Sequence, residues 1–446
     1  MKRVYLSLLT IKNYKNFRDA YDFHFMNVKD GKSAMQCPRC TVFLGDNGTG
    51  KTNLLKVIAN LSPEIRNVDD VEENDLAVEI SVRGKDEKKH KKAYRPNVVE
   101  RHGEKDYSVS MRFATSNESA ECITHPQYKE LQKIEKEGKI SASQPVSIGY
   151  TDKNNTIVYD VPELGDVVIY AYGVNRFSDD KNNLRSENNV ETLFYNNRPL
   201  INVNQWLIQL ELASKDGNTK SKAIEKKKIL KKILRNSNLF PDIKDYKVKV
   251  DEKLNAEVLF ETSYGQFHLS DLAYGYQCMF AWLFDFIKKM FDRYPDSDNP
   301  LKEPAILVVD EIDLHLHPAW QRHVLADLCG LFPNTQIIVS THSPLVIQSI
   351  DGINLFVLEN QEEGTVVSNY TDKDFQGWRV DEILRDVMKL GDDVRSEKYK
   401  ALREEFETAI TKKKDVESVY YRLKNILQPD STEAHLLELD YNQANN

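Results

Sequence analysis

Polar and apolar residues alternate from Tyr5 to Phe17 and again over Tyr21-Asp22-Phe23-His24-Phe25, the period of half-buried strands. Apolar runs at Thr41-Val42-Phe43-Leu44, Val167 to Tyr172 and Pro304 to Val309 suit strands covered on both faces of a parallel sheet, and Thr335 to Ser340 reads as another strand. Helical spacing marks Asn53 to Ala59, a middle region from about Val190 to Leu239, and Leu272 to Phe291, with an alternating sheet pattern from Tyr246 to Leu259. After an alternating strand over 75–84 the chain turns polar. From Lys85 to about Asn155 it reads as an insertion, with the charged run Lys88 to Lys92 and a helix over Tyr128 to Lys139. Amphipathic stretches at Val380 to Leu390, Tyr399 to Ile410 and Val416 to Leu427 predict C-terminal helices, followed by an acidic end through Glu433, Glu438 and Asp440. The pattern predicts an α/β head over residues 1–360, with a mixed or parallel core sheet. Its polar insertion is about 85–155 and its helical lobe about 190–240, and a helical region follows over 361–446 whose apolar faces either bind a partner or pack back onto the head.

The chemistry sits at the ends of the apolar runs. Gly45-Asp46-Asn47-Gly48-Thr49-Gly50-Lys51-Thr52 joins a strand to a helix and matches the phosphate-binding loop at every position. Its glycines turn backbone N–H groups toward phosphate, Lys51 neutralises the β and γ groups, Thr52 offers a hydroxyl to Mg²⁺, and the following helix begins at Asn53. The ATP-binding set is therefore Asn47, Gly48, Thr49, Gly50, Lys51, Thr52 and Asn53. The run Pro304 to Val309 ends in Asp310-Glu311, a Walker B element: Asp310 joins Thr52 in the Mg²⁺ shell, and Glu311 is placed to polarise an attacking water. A third strand ends in Thr341-His342-Ser343-Pro344, where His342 can contact a γ-phosphate or orient water. Glu311 and His342 are the catalytic candidates.

Composition narrows the setting. The 446 residues carry a net charge of −8, and no apolar run approaches the ~18 residues that span a bilayer. With no secretory pattern at the start and five cysteines, an odd number, the expectation is a cytoplasmic protein without a membrane partner. Cys37, Cys40, Cys122 and His125 form two pairs, each with two intervening residues, that can fill a tetrahedral zinc site; two unrelated thiol pockets explain them as well. Between Lys215 and Arg235, nine Lys or Arg face only Asp216 and Glu225, with Ile224, Ile229, Leu230, Ile233 and Leu234 at helical spacing. Such a face is either solvated or a contact for DNA or RNA phosphates, with Lys227, Lys228, Lys231 and Lys232 as the contact set.

Gly45 to Thr52, Asp310-Glu311-Ile312-Asp313-Leu314-His315-Leu316-His317-Pro318 and Ser340 to Pro344 together resemble the ABC-type ATPase heads of the SMC and RecF kind. Tyr172-Gly173-Val174-Asn175-Arg176 sits where that family has its Q-loop. Trp206-Leu207 and Trp378 to Leu384 look like bacterial defence ATPases of the AAA type, as in the ATPase subunit of Septu anti-phage systems. The resemblance implies a homodimer or higher oligomer in which the signature of one head, here Ala273, Tyr274, Gly275 and Gln277, caps the γ-phosphate held by another. It also implies a separate nuclease subunit, of HNH type. Where the family has a signature serine this chain has Ala273. The lost hydrogen bond is worth about 1.5–3 kcal/mol, so hydrolysis is expected to be slow and ATP largely structural. The long heptad arms of SMC proteins are missing, and from Asp351 onward the chain shows no clustered acids for two metals beyond the isolated Asp392-Asp393 pair, which argues against a stand-alone nuclease of the OLD kind. The same nucleotide motifs would also serve a RecF-like repair ATPase or the ATP-binding subunit of a transporter, and the basic middle helix disfavours the transporter.

Overall fold

The computed structural model describes residues 3–25, 27–28, 35–36, 40–60, 75–83, 88–96, 108–116, 146–151, 156–159, 168–179, 189–362, 364–371, 373–390, 396–429 and 431–445. They fall into two units, Met1–Trp378 and Arg379–Asn446.

The first unit is built on a six-stranded sheet. Its order is Ile169–Tyr172, Ala305–Val309, Thr335–Thr341, Cys40–Gly45, Asn354–Gln361 and Gly364–Asn369. The first five run parallel and the last returns antiparallel. Every residue of the first four is buried, as strands covered on both faces of a parallel sheet must be, including the polar Thr335, Gln336, Ser340 and Thr341 of the third. The hairpin partner Gly364–Asn369 belongs to this sheet, so the head extends past the boundary at 360 that the sequence suggested. A short polar turn at its start had hidden the strand.

A second, seven-stranded sheet begins with Arg3–Tyr14 and Phe17–His24. Ser108–Ser116, Val146–Thr151, Thr156–Tyr159, Asp75–Arg83 and Lys88–Pro96 follow in that order; Asp75–Arg83 is the alternating strand expected there, while Ser108–Ser116, Val146–Thr151 and Lys88–Pro96 come from the segment read as an insertion. Ser108–Ser116 pairs along almost the whole of Arg3–Tyr14, so this stretch continues the N-terminal sheet. The helix expected over 128–139 lies outside the described residues.

One apolar cluster joins the two sheets. Leu9, Ile11, Phe17 and Phe23 meet Leu54, Leu55 and Ile58 of helix Lys51–Asn60 and the core-sheet residues Phe43, Ile306, Ile338 and Phe356. Gln336, buried in the core sheet, exchanges hydrogen bonds with the Leu6 N–H (2.7 Å) and carbonyl (2.9 Å), so its amide is satisfied across the layers.

Helices Val203–Ala213 and Lys220–Asn236 pack with the three-stranded sheet Ile243–Val250, Ala256–Thr262 and Gly265–Phe267 as the lobe. Helix Tyr274–Arg293 then returns the chain to the core, its middle buried from Cys278 to Ile287. The second unit holds helices Glu397–Lys412, Val416–Lys424 and Thr432–Asn445 around Leu402, Phe406, Val419, Leu423 and Leu437. Among the described residues no helix is long and apolar enough to cross a membrane.

Candidate functional site

Three parallel strands deliver the site at their C-terminal ends, where open α/β sheets place ligands. Cys40–Gly45 runs into the phosphate loop, whose Gly50 has φ +96°, and a Cβ there would lie 2.9 Å from the Phe17 ring. Glycine is thus required both by the turn and by the aromatic packed under it. Lys51 donates to the carbonyl oxygens of Gly45 and Asp46, each at 2.8 Å, so the lysine braces its own loop. Burial pushes its ammonium below the usual lysine range, while Asp310 and Glu311 act the other way.

Ala305–Val309 and Thr335–Thr341 bring the acids and the histidine to the same edge. Thr52 Oγ1 donates to Asp310 Oδ2 at 2.8 Å, and Ser340 Oγ to Asp310 Oδ1 at 2.5 Å. A threonine hydroxyl in contact with a buried carboxylate is a hard oxygen donor set that fits Mg²⁺. Glu311 follows with φ +46°, a left-handed conformation that costs a residue with a Cβ about 1–3 kcal/mol. Its Oε1 lies 3.9 Å from His342 Nε2, and both side chains are 30% exposed, open to an incoming substrate. The turn carrying His342 is fixed by Thr341 Oγ1 on Asp313 Oδ1 (2.5 Å) and by Ser343 Oγ on Gln321 Oε1 (2.7 Å).

Side chains distant in sequence complete the loop's support. Asn16 Nδ2 donates to the Gly48 carbonyl at 2.7 Å, Lys15 Nζ to Asn53 Oδ1 at 3.1 Å, and Thr365 Oγ1 to the Thr49 carbonyl at 3.0 Å. Arg176, in the Tyr172–Arg176 stretch, donates to the main-chain oxygens of Asp310 and Glu311. Sequence reasoning assigned none of these four to the site. Lys15-Asn16 is a polar pair between two alternating strands, a weak signal in itself, and Thr365 had no local motif at all.

The signature residues gather elsewhere in the described contacts. Ala273 and Tyr274 are exposed at the start of helix Tyr274–Arg293, and among the described residues no side chain caps that end. Gln277 Nε2 is spent on the carbonyls of Ser270 (3.0 Å) and Leu272 (2.8 Å). A Cβ at Gly275 would come 2.3 Å from the His315 carbonyl oxygen, so close packing within the chain also calls for glycine there, beside the Tyr274–His315 ring contact at 4.7 Å.

The zinc expectation is not carried by the described residues. Cys40 Sγ is buried 3.0 Å from Cys329 Sγ, while Cys37, Cys122 and His125 lie outside the described residues. The four-lysine contact set also changes. Lys227 pairs with Glu211 at 2.5 Å and Lys231 with Asp245 at 2.8 Å, so those two charges are met inside the lobe. Lys228 and Lys232 stay exposed and make no ion pair among the described residues.

Residues 5–347 match the AAA ATPase domain family. This chain belongs to it. Septu protein PtuA of Bacillus thuringiensis is 31% identical over 195 residues, which is 42% of this chain and 49% of that protein. Septu protein PtuA of Bacillus mycoides is 28% identical over 272 residues, 58% of this chain and 35% of that protein. The chain thus spans half or less of the length of these relatives. A solved Smc head bound to the C-winged helix domain of ScpA aligns with 82% of this chain and 98% of its own, at 14% identity and a TM-score of 0.44.

Proposed function

We propose that this ATPase-family chain binds ATP with Mg²⁺ between the phosphate loop and the Walker B end, hydrolyses it slowly, and uses the ATP-bound state to control a separate nuclease in anti-phage defence. The observation that carries the reading is the convergence of Lys51, Thr52, Asp310, Glu311 and His342 at the ends of three adjacent parallel strands. Thr52 and Asp310 would hold the metal. Bound Mg²⁺ supplies neutralisation of phosphate charge and a fixed template for the triphosphate. Lys51 exchanges its loop carbonyls for phosphate oxygens. Glu311 accepts the proton as water attacks the γ-phosphorus and the bond to ADP breaks, and His342 donates toward the γ-phosphate oxygens.

The exposed, uncapped start of helix Tyr274–Arg293 at Ala273 supports a second head contributing there to a neighbour's γ-phosphate, so the assembly is a homodimer or higher oligomer. Exposed Lys228 and Lys232 support contact with nucleic-acid phosphates. Tyr421, Ile426, Leu436 and Leu439 are exposed in the second unit and support a surface for the nuclease, of HNH type by resemblance.

Isothermal titration with ATP·Mg²⁺ tests the division of roles. Lys51→Ala should abolish tight binding, because it removes the loop's side-chain cation. Glu311→Gln should bind as the parent does and stall hydrolysis, with a rate loss of about 10²–10⁴-fold. Equal loss of affinity in the two variants would sink the assignment.

A further inference from the structure

Glu311 keeps its left-handed backbone at the end of a buried strand, where glycine would be the natural occupant. Such a conformation persists only where the surroundings impose it. Two side chains do so from opposite sides. The Glu311 N–H donates to Ser340 Oγ at 2.7 Å, and Arg176 Nη2 donates to the Glu311 carbonyl at 2.8 Å as well as to the Asp310 carbonyl. Arg176 is itself immobilised: it is 3% exposed, its Nε donates to the Gly173 carbonyl at 2.7 Å, and its guanidinium lies 6.0 Å over the Trp282 ring. Burial pushes the guanidinium pKa down to about 10, with Asp310 foremost among the groups opposing the shift.

A buried cation whose direct partners are three main-chain oxygens is a costly choice if filling space were the only need. Its planar fork is suited to holding several acceptors in fixed directions, which a lysine cannot do. We propose that Arg176 is a positioning residue for ATP hydrolysis: by gripping the carbonyls of Asp310 and Glu311 it sets the strained turn that aims the Glu311 carboxylate. Ser340 closes the clamp from the N–H side. The inference rests on the reading of Glu311 as the group that polarises the attacking water.

The test uses the full chain with Arg176→Met and Arg176→Lys, each alone and combined with Glu311→Gln, measuring kcat, KM and ATP·Mg²⁺ affinity. Arg176→Met is expected to lower kcat by about 100-fold, the scale of a small misplacement of a reacting group, with affinity and KM unchanged. Arg176→Lys, which keeps the charge and one donor centre, should recover part of that loss. In the Glu311→Gln background neither substitution should slow the residual rate further, because the carboxylate being aimed is already gone. If Glu311→Gln alone turns over like the parent, the functional reading fails and takes this inference with it. If Glu311→Gln stalls but both Arg176 variants keep the parental kcat, the inference alone is overturned. It is likewise overturned if both variants lose ATP binding, or if their losses multiply with that of Glu311→Gln, since Arg176 would then be a general structural group.

Discussion

The phosphate site and helix Lys220–Asn236 are both rich in charge, yet they spend it in opposite ways. At the site, Asp310 is 2% exposed and both its oxygens accept from hydroxyls, while among the described residues Lys51 donates to its own loop's carbonyls. Their direct hydrogen-bond partners are neutral, although Lys51 also feels the charges of Asp310 and Glu311. On the helix the cations meet acids: Lys222 pairs with Asp296, Lys227 with Glu211, and Lys231 and Arg235 with Asp245. Charge density along a sequence therefore says little about charge on offer. What matters is whether the folded partners are neutral or opposite in sign.

The contrast can be sharpened first on the site's side. Ala273→Ser restores a hydroxyl where the family has one and should raise steady-state turnover by about one to two decades if this segment caps a neighbour's γ-phosphate. An unchanged rate in a protein shown to be dimeric would remove the signature from the site. Gly50→Ala should lower stability by about 1–3 kcal/mol, from its left-handed backbone alone, with further loss from the Phe17 contact. Thermal denaturation measures it.

On the helix, Lys231→Gln should cost about 0.5 kcal/mol, because it deprives Asp245 of one of two cations. Burial acts to raise the Asp245 pKa, but hydrogen bonds from Lys231, Arg235 and the Tyr246 N–H outweigh it and hold the carboxylate below its usual range. A group depressed in this way stabilises the fold above its unfolded-state pKa and loses that stabilisation as the pH falls through the lowered value. Asp245→Asn should flatten the acid limb of a stability profile accordingly. The smallest effect on stability belongs to Lys228→Gln with Lys232→Gln, within about 0.5 kcal/mol of the parent. The same pair should flatten the log–log salt dependence of nucleic-acid binding by about 1.4–1.8 if both lysines meet phosphate. Parental affinity and slope would leave this helix a solvated face.

The comparison also explains what the sequence disclosed. The phosphate loop, the Walker B end and the His342 strand each occupy a single short stretch, and their apolar runs are long enough to declare buried parallel strands. The rest depended on partners far along the chain. Ser108–Ser116 is polar enough to pass for a loop, and only its pairing with Arg3–Tyr14 makes it sheet. Asp245 and Asp296 lie outside the basic stretch they neutralise, and Arg176 acts on main-chain oxygens, which leave no mark in side-chain patterns. Gly275 entered through the resemblance to a signature, and its close approach to the His315 carbonyl, far along the chain, left no local mark.

The bond from Thr365 to the Thr49 carbonyl joins residues 316 positions apart, and Thr365 lies in the second strand of the hairpin that carries the head past residue 360. During synthesis the phosphate loop leaves the ribosome early, but this support leaves far later, by about 15–60 s at ordinary elongation rates of roughly 5–20 residues per second. Over that interval the loop lacks one of its fixed walls. A nascent chain stalled before residue 365 should therefore bind nucleotide poorly even though every residue of its phosphate motif is already made, and competence should rise as the late hairpin emerges.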